Sequence, residues 1–326
     1  MSTPGLQLGR ICQLLVSKSP LGGDTTGRDL SQLQFSFSVR AADIETPNTM
    51  VVRIYNLSPQ TETEIVQQYT EVALLAGYQG TGLSVIFTGS IKMFRKGKEN
   101  ATDKFLEISA SDGDLGYSYG FLNSTLGTGA SQVNALQAAA QAMQTTLTQT
   151  ANSTVGTGGI VFPRGKVLFG LARVHMRTIA DTIKARWSIQ NGAVTVIPVT
   201  SYLPGTVVKL NSGTGMINIP ESTPNGIEVD CLLNPLLQIG GQVEIDSNDI
   251  VAMLNTQAGE QAGEGINFPS YTSHIFPATI QPGQGIYRII VAEHQGDTRG
   301  NDWTTHLTCL AIDPSSPLGT SVSASG

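Results

Sequence analysis

Residues 50–57, Met-Val-Val-Arg-Ile-Tyr-Asn-Leu, constrain the fold more than any other stretch of the chain. Val51, Arg53 and Tyr55 alternate with Val52, Ile54 and Asn56, a period of two among β-branched and aromatic residues. That pattern suits a pleated strand with one buried face and does not suit a helix. Asn56, Ser58 and Pro59 then end it with turn chemistry. Runs of the same kind occur at 11–17, 33–41, 72–78, 83–89 and 105–110. In the second of these, Leu33, Phe35, Phe37 and Val39 share a face. Such a set predicts a small closed or nearly closed antiparallel barrel over residues 1–125. The helix candidate here is 61–69, with Ser58 as its N-cap, placed to cover one open end.

From residue 126 to 200 the pattern changes. A linker containing Gly127 and Gly129 leads to Ser131, which should cap a helix running to about Thr148. Val133, Leu136, Ala140, Met143 and Leu147 form its stripe, read as a core face. Residues 150–159 are low in complexity and read as a loop. A strand near 166–169 and a helix over 176–186 follow. Asn191-Gly192 then separates two short apolar strands at 187–189 and 193–197. Asn-Gly in that position predicts a tight hairpin, because both central residues must accept positive φ. This is a small α+β insertion.

Residues 201–313 return to strand patterns, at 207–210, 216–219, 227–233, 242–245, 287–293 and 304–311. They predict a second antiparallel β-barrel. The stretch from 246 to 285 has few strand signals, with one helical turn expected at 250–254. A loop of that length is usually functional or disordered. The extended tail, 314–326, has almost no core-forming residues and is expected to lie against another chain. The fold class is thus mainly β, with two tube-type antiparallel barrel domains (1–125 and 201–313) flanking a middle α+β domain at 126–200.

Charge and cysteine content narrow the function. Charged residues are 13 % of the chain and hydrophobic ones 40 %. That is about half the usual charged share, so either much of the surface is covered by partners or neutral Ser, Thr, Asn and Gln solvate it, and the first reading is preferred. The formal net charge is −6. The densest basic run, Lys92–Lys98, reads as a hairpin tip, not a phosphate-binding stripe. Cys12, Cys231 and Cys309 have no metal-ligand spacing and cannot all pair, which fits reduced thiols and assembly in a cytoplasm. No signal peptide and no apolar run of about 20 residues is present, so no membrane insertion is expected.

Candidate chemistry is sparse. His175, His274, His294 and His306 fall in different elements, none at zinc spacing. His294 and Asp297 could form an acid–base pair, but Gly296, Asp297 and Gly300 make this segment a turn first. Asp112 and Asp114 resemble part of a calcium loop without its distal Glu, and Asp246, Asn248 and Asp249 are of the same grade. Both groups read as turn caps. No phosphate loop or nucleophile elbow occurs. No catalytic, cofactor-binding or metal residue is assigned, and no cofactor or enzymatic activity is expected. A carbohydrate-binding β module or glycosidase-like tail protein is the competing reading. It would need clustered aromatics, which are only 6 % of the chain.

Several short segments in sequence carry a resemblance. These are RIYNLS, AGY, IFTG, the strand ending in DGD, the WSI–NG–strand segment, TGMINIP–TPNGIEV–LLNPLLQIGGQVEID and GIYRIIVAEHQGDTRGNDWTTHL. In order and spacing they resemble the baseplate hub proteins of contractile-tailed phages, Mu-like phages especially, over about residues 33–312. The resemblance implies a structural virion protein. It would form a homotrimeric ring that adapts a six-fold tail tube to a three-fold spike. The tail tube protein, the spike and other baseplate proteins would be its partners. A tape-measure protein would fill the lumen until DNA passes through it without specific binding.

Overall fold

The computed structural model describes residues 7–19, 27–147, 161–199, 201–223, 226–245, 251–252 and 285–311. The 246–285 loop (apart from 251–252 and 285), the 314–326 tail, the 150–159 loop, His274 and the Asp246/Asn248/Asp249 group lie outside these residues.

The chain is mainly β. The first region contains β1 (Arg10–Ser17), β2 (Arg28–Asp29), β3 (Phe35–Ala42), β4 (Thr49–Tyr55), β5 (Glu71–Tyr78), β6 (Gly82–Lys98) and β7 (Lys104–Ser111). Helix α1 (Pro59–Gln68) interrupts them. The Ser58 hydroxyl accepts from the Thr61 N–H, the cap that the sequence predicts, the helix starts two residues earlier than expected, and Ile65 plugs the core. The basic run at Lys92–Lys98 is not a hairpin tip. It is the outer half of β6, which pairs with β5 through Gly82–Ser90 and with β7 through Ser90–Lys98. The turn itself is 99–103, where the Asn100 side chain accepts from the Thr102 and Asp103 amides.

The middle region holds α2 (Asp114–Tyr119), β8 (Phe121–Leu126), α3 (Gln132–Ala142), β9 (Thr146–Leu147), β10 (Lys166–Leu171), α4 (Ala172–Thr182), β11 (Ala185–Gln190) and β12 (Ala193–Pro198). Ser131 caps α3 through a reciprocal bond pattern with Asn134. Both helices end earlier than the sequence suggests: α3 stops at Ala142, and α4 is as long as expected but begins and ends four residues earlier. Gln144 (φ 57°) and Lys184 (φ 52°) turn into the left-handed region and release the chain into strands. β8 and β10 form a separate two-stranded ribbon. β11 and β12 form the expected hairpin, with Asn191 at φ 51° and Gly192 at φ 80°.

The last region contains β13 (Val208–Leu210), β14 (Glu221–Thr223), β15 (Gly226–Leu232), β16 (Gln242–Ile245), β17 (Val251–Ala252), β18 (Ile286–Asp297) and β19 (Trp303–Ala311). Residues 216–219 touch β15 by a single bridge and form no strand, and 251–252 pair as a strand instead of turning as a helix.

The two β regions are continuous. The C-terminal half of β18 pairs antiparallel with β3, so strands from both ends of the chain join one 14-stranded sheet. At the seam Phe37, Gly296 and Trp303 lie in one row. Phe37 packs edge-on to Trp303 at 5.8 Å, and a Cβ on Gly296 would strike the Phe37 ring. Trp303 and Leu233 therefore belong to the core built by Phe35, Val52, Ile54, Phe87 and Ile108. A second core lies between α3, α4 and the β11–β12 hairpin, and a third around Val229, Val243, Ile289 and Leu307.

Two polar locks hold the regions together. Asp43 and Arg288, both buried, pair directly, and Arg288 also donates to the Pro198 and Ser201 carbonyls at the exit from the middle region. Asn48 donates to Ile189 and Gln190, and the Asp112 carboxylate accepts the Gly192 N–H at 2.8 Å. The hairpin tip is thereby docked on the first region.

Candidate assembly surfaces

Along a strand, alternate residues face opposite ways, so the joined sheet presents one set of side chains outward. Across β15, β19, β18, β3, β4, β7 and β6 these outward residues line up in rows. One row reads Asp230, His306, Glu293, Arg40 and Thr49. The next reads Thr304, Gln295, Ser38, Val51, Ser109 and Met93. A third reads Asp297, Ser36, Arg53, Glu107 and Arg95. The face is polar and built largely from short side chains. A shallow groove of about 320 Å³ runs over Ser36, Ser38, Val51, Arg53, Glu107 and Gln295.

Every arginine in these rows sits beside a carboxylate. Arg40 meets Glu293 at 3.1 Å, Arg53 and Arg95 share Glu107 at 2.8 and 3.1 Å, and His306 meets Asp230 at 2.6 Å. The Glu107 bond holds the Arg53 guanidinium even more firmly protonated than usual. The Arg40–Glu293 pair is largely exposed and adds little stability. The consequence of these pairs is electrostatic: the face has no unpaired positive charge in these rows.

A second surface is apolar. On the β8–β10 ribbon, Leu122 and Leu168 point into the core, while Phe121, Val167 and Phe169 point outward. These three are 52 %, 69 % and 67 % exposed, and the two Phe rings meet edge-on at 5.1 Å. Of this ribbon the sequence predicts β10, near 166–169, but not β8, where Asn123, Ser124 and Thr125 interrupt the apolar pattern.

The residues singled out for chemistry are dispersed. His294 is not in a turn, because β18 runs on to Asp297. Its ring is buried, bonds Thr305 at 2.8 Å, and burial pushes its pKa down to about 4. Asp297 instead accepts the Arg299 and Gly300 amides, closing the β18–β19 turn. The two do not form an acid–base pair. His175 bonds the Phe169 carbonyl. Asp112 and Asp114 part company: the first holds the hairpin tip, the second pairs with Lys92. Among the described residues no group of three or more His, Cys, Asp or Glu is placed to hold a metal ion. Trp187 and Trp303 are 2 % and 1 % exposed, so neither offers a platform for a sugar ring. Among the described residues no helix is long and apolar enough to cross a membrane.

No family model and no curated protein matches the sequence. Solved structures do match, over nearly the whole chain. The 43 kDa tail protein of prophage MuSo2 from Shewanella oneidensis superposes with a TM-score of 0.55 at 6 % identity, covering 94 % of this chain and 98 % of that one. The chain has the fold of phage tail proteins. A tail protein from Neisseria meningitidis MC58 gives 0.52 at 10 % identity, over 92 % and 96 %. A chain of the lidless PdpA-VgrG complex gives 0.52 at 7 % identity, over 95 % of this chain but 66 % of that one. The resemblance read from the turn-rich motifs thus holds at the level of the fold.

Proposed function

We propose that this chain is a structural component of a phage tail baseplate, the hub that joins tail tube to spike. In this reading three copies form a ring with a central channel. Each copy contributes its two β regions, so six similar units meet the six-fold tube and three chains meet the three-fold spike. The tape-measure protein occupies the channel before injection and DNA passes through it afterwards. The ring is built in the host cytoplasm, stays in the virion tail, inserts in no membrane and catalyses no reaction. The domain limits 1–125, 126–200 and 201–313 belong to the same proposal.

The observation that carries it is the seven-strand polar face, continuous across the seam between the two β regions. A wall that DNA must slide past has to avoid free cations, since each retained phosphate contact adds salt-dependent affinity. Here the arginines in the described rows already face carboxylates. The test is a reconstruction of the assembled ring. Three-fold symmetry with this face toward the lumen is expected. A lumen lined by unpaired Lys and Arg would overturn the channel, and a monomer at all concentrations would overturn the hub.

A further inference from the structure

The middle region carries a charge that the chain total conceals. Between residues 121 and 199 stand six cations (Arg164, Lys166, Arg173, Arg177, Lys184, Arg186) and one anion, Asp181, giving +5. The total of −6 leaves −11 on the rest of the chain. The apolar ribbon sits within this basic region. Arg164 and Lys166 lie at one end of β10, and Arg173 and Arg177 lie on α4, which begins directly after it.

A surface of matching character lies elsewhere on the same chain. Residues 216–221 run along the outer side of β15, with the Ile217 N–H donating to the Asp230 carbonyl. Ile217 and Ile219 are 48 % and 61 % exposed. Glu221 lies opposite Glu228 in register, and Asp230, bonded to His306 and Asn218, follows on the same strand, so carboxylates flank the two isoleucines. One patch is aromatic and basic; the other is aliphatic and acidic. Unlike patches on one chain make a head-to-tail contact, which closes into a ring when the rotation between copies allows.

We propose that the β8–β10 ribbon of one copy docks on the Ile217–Glu221 edge of the next, and that this contact is the joint of the ring. The inference rests on the ring reading above and names its interface. Phe121 and Phe169 supply the buried centre, and Arg164 and Lys166 supply orientation against the acidic edge, since Arg177 is already held by Glu45 at 2.6 Å.

The test is sedimentation velocity of the full chain with three sets of variants. The wild type should sediment as a trimer. Phe121→Ser with Phe169→Ser, and separately Arg164→Glu with Lys166→Glu, should sediment as monomers with unchanged near-ultraviolet circular dichroism. Loss of association by roughly 30-fold or more is expected for anchors of this type. Adding Glu221→Lys and Glu228→Lys to the basic-to-acidic variant should restore the trimer. Trimers that survive both disruptions, or a charge exchange that restores nothing, would overturn the joint and leave the ring standing. A monomeric wild type would overturn ring and joint together. Binding to phosphatidylserine vesicles that the Phe variant loses, with its trimer intact, would assign the ribbon to a lipid surface and overturn the joint.

Discussion

Asp112 should make the docking of the middle region depend on pH. Its carboxylate is buried beneath the Asn191–Gly192 turn. Burial raises its pKa from 3.8 to about 6, the amides of Gly192 and Asn191 pull it partly back, and the charge of Glu71 pushes it up further. The folded protein therefore holds this proton more tightly than the unfolded chain does. The stabilisation from protonation is complete below about pH 4 and is lost as pH rises through about 6. A shift of about two units corresponds to roughly 2–3 kcal/mol. Asp112→Asn keeps a carbonyl oxygen to accept the Gly192 amide and removes the charge. Its stability relative to wild type should rise by about 2 kcal/mol between about pH 4 and pH 7.5. Urea denaturation of both proteins at the two pH values measures this. His294, whose folded pKa is lowered, destabilises the fold as pH falls through the range below 6.5, but it does so in both proteins and cancels in the difference. A difference independent of pH would refute the reasoning.

Three further outcomes are expected. Gly192→Val should cost about 1–3 kcal/mol in denaturant titrations, because φ 80° strains a β-branched residue. Trp303→Ala should cost about 3–5 kcal/mol, and the loss should appear in amide exchange of β3 as well as β19, since the ring fills the first region's core from the last region's strand. Asp43→Ala leaves the Arg288 guanidinium buried without its carboxylate and should cost about 3–5 kcal/mol by chemical denaturation.

The strands with one buried face were legible, because Phe35, Phe37 and Val39, or Val52 and Ile54, alternate with polar residues. The outer half of β6 was not, since Lys92–Lys98 lies beyond the strongly buried part of the core and its alternation is weakly apolar. The ends of α3 and α4 were misplaced because Gln144 and Lys184 take left-handed backbone that neither residue type announces. The β18–β3 seam joins residues 249 to 261 positions apart, as in Phe37 with Gly296, and no local pattern encodes such a pairing. The basic middle region was countable from the start; the whole-chain sum hid it.

The seam also sets an order of events during synthesis. β3 and β4 leave the ribosome long before β18 and β19 exist, because Phe37 precedes Gly296 by 259 positions. Until those last strands arrive, β3 has an open edge, and the first core lacks Trp303. An unpaired strand edge beside exposed apolar residues is a template for wrong partners. The nascent chain is therefore most exposed to misassembly from the completion of the first region until β18 is made, and a chaperone that shields β3 in that interval would raise the yield of folded protein more than one acting at the end.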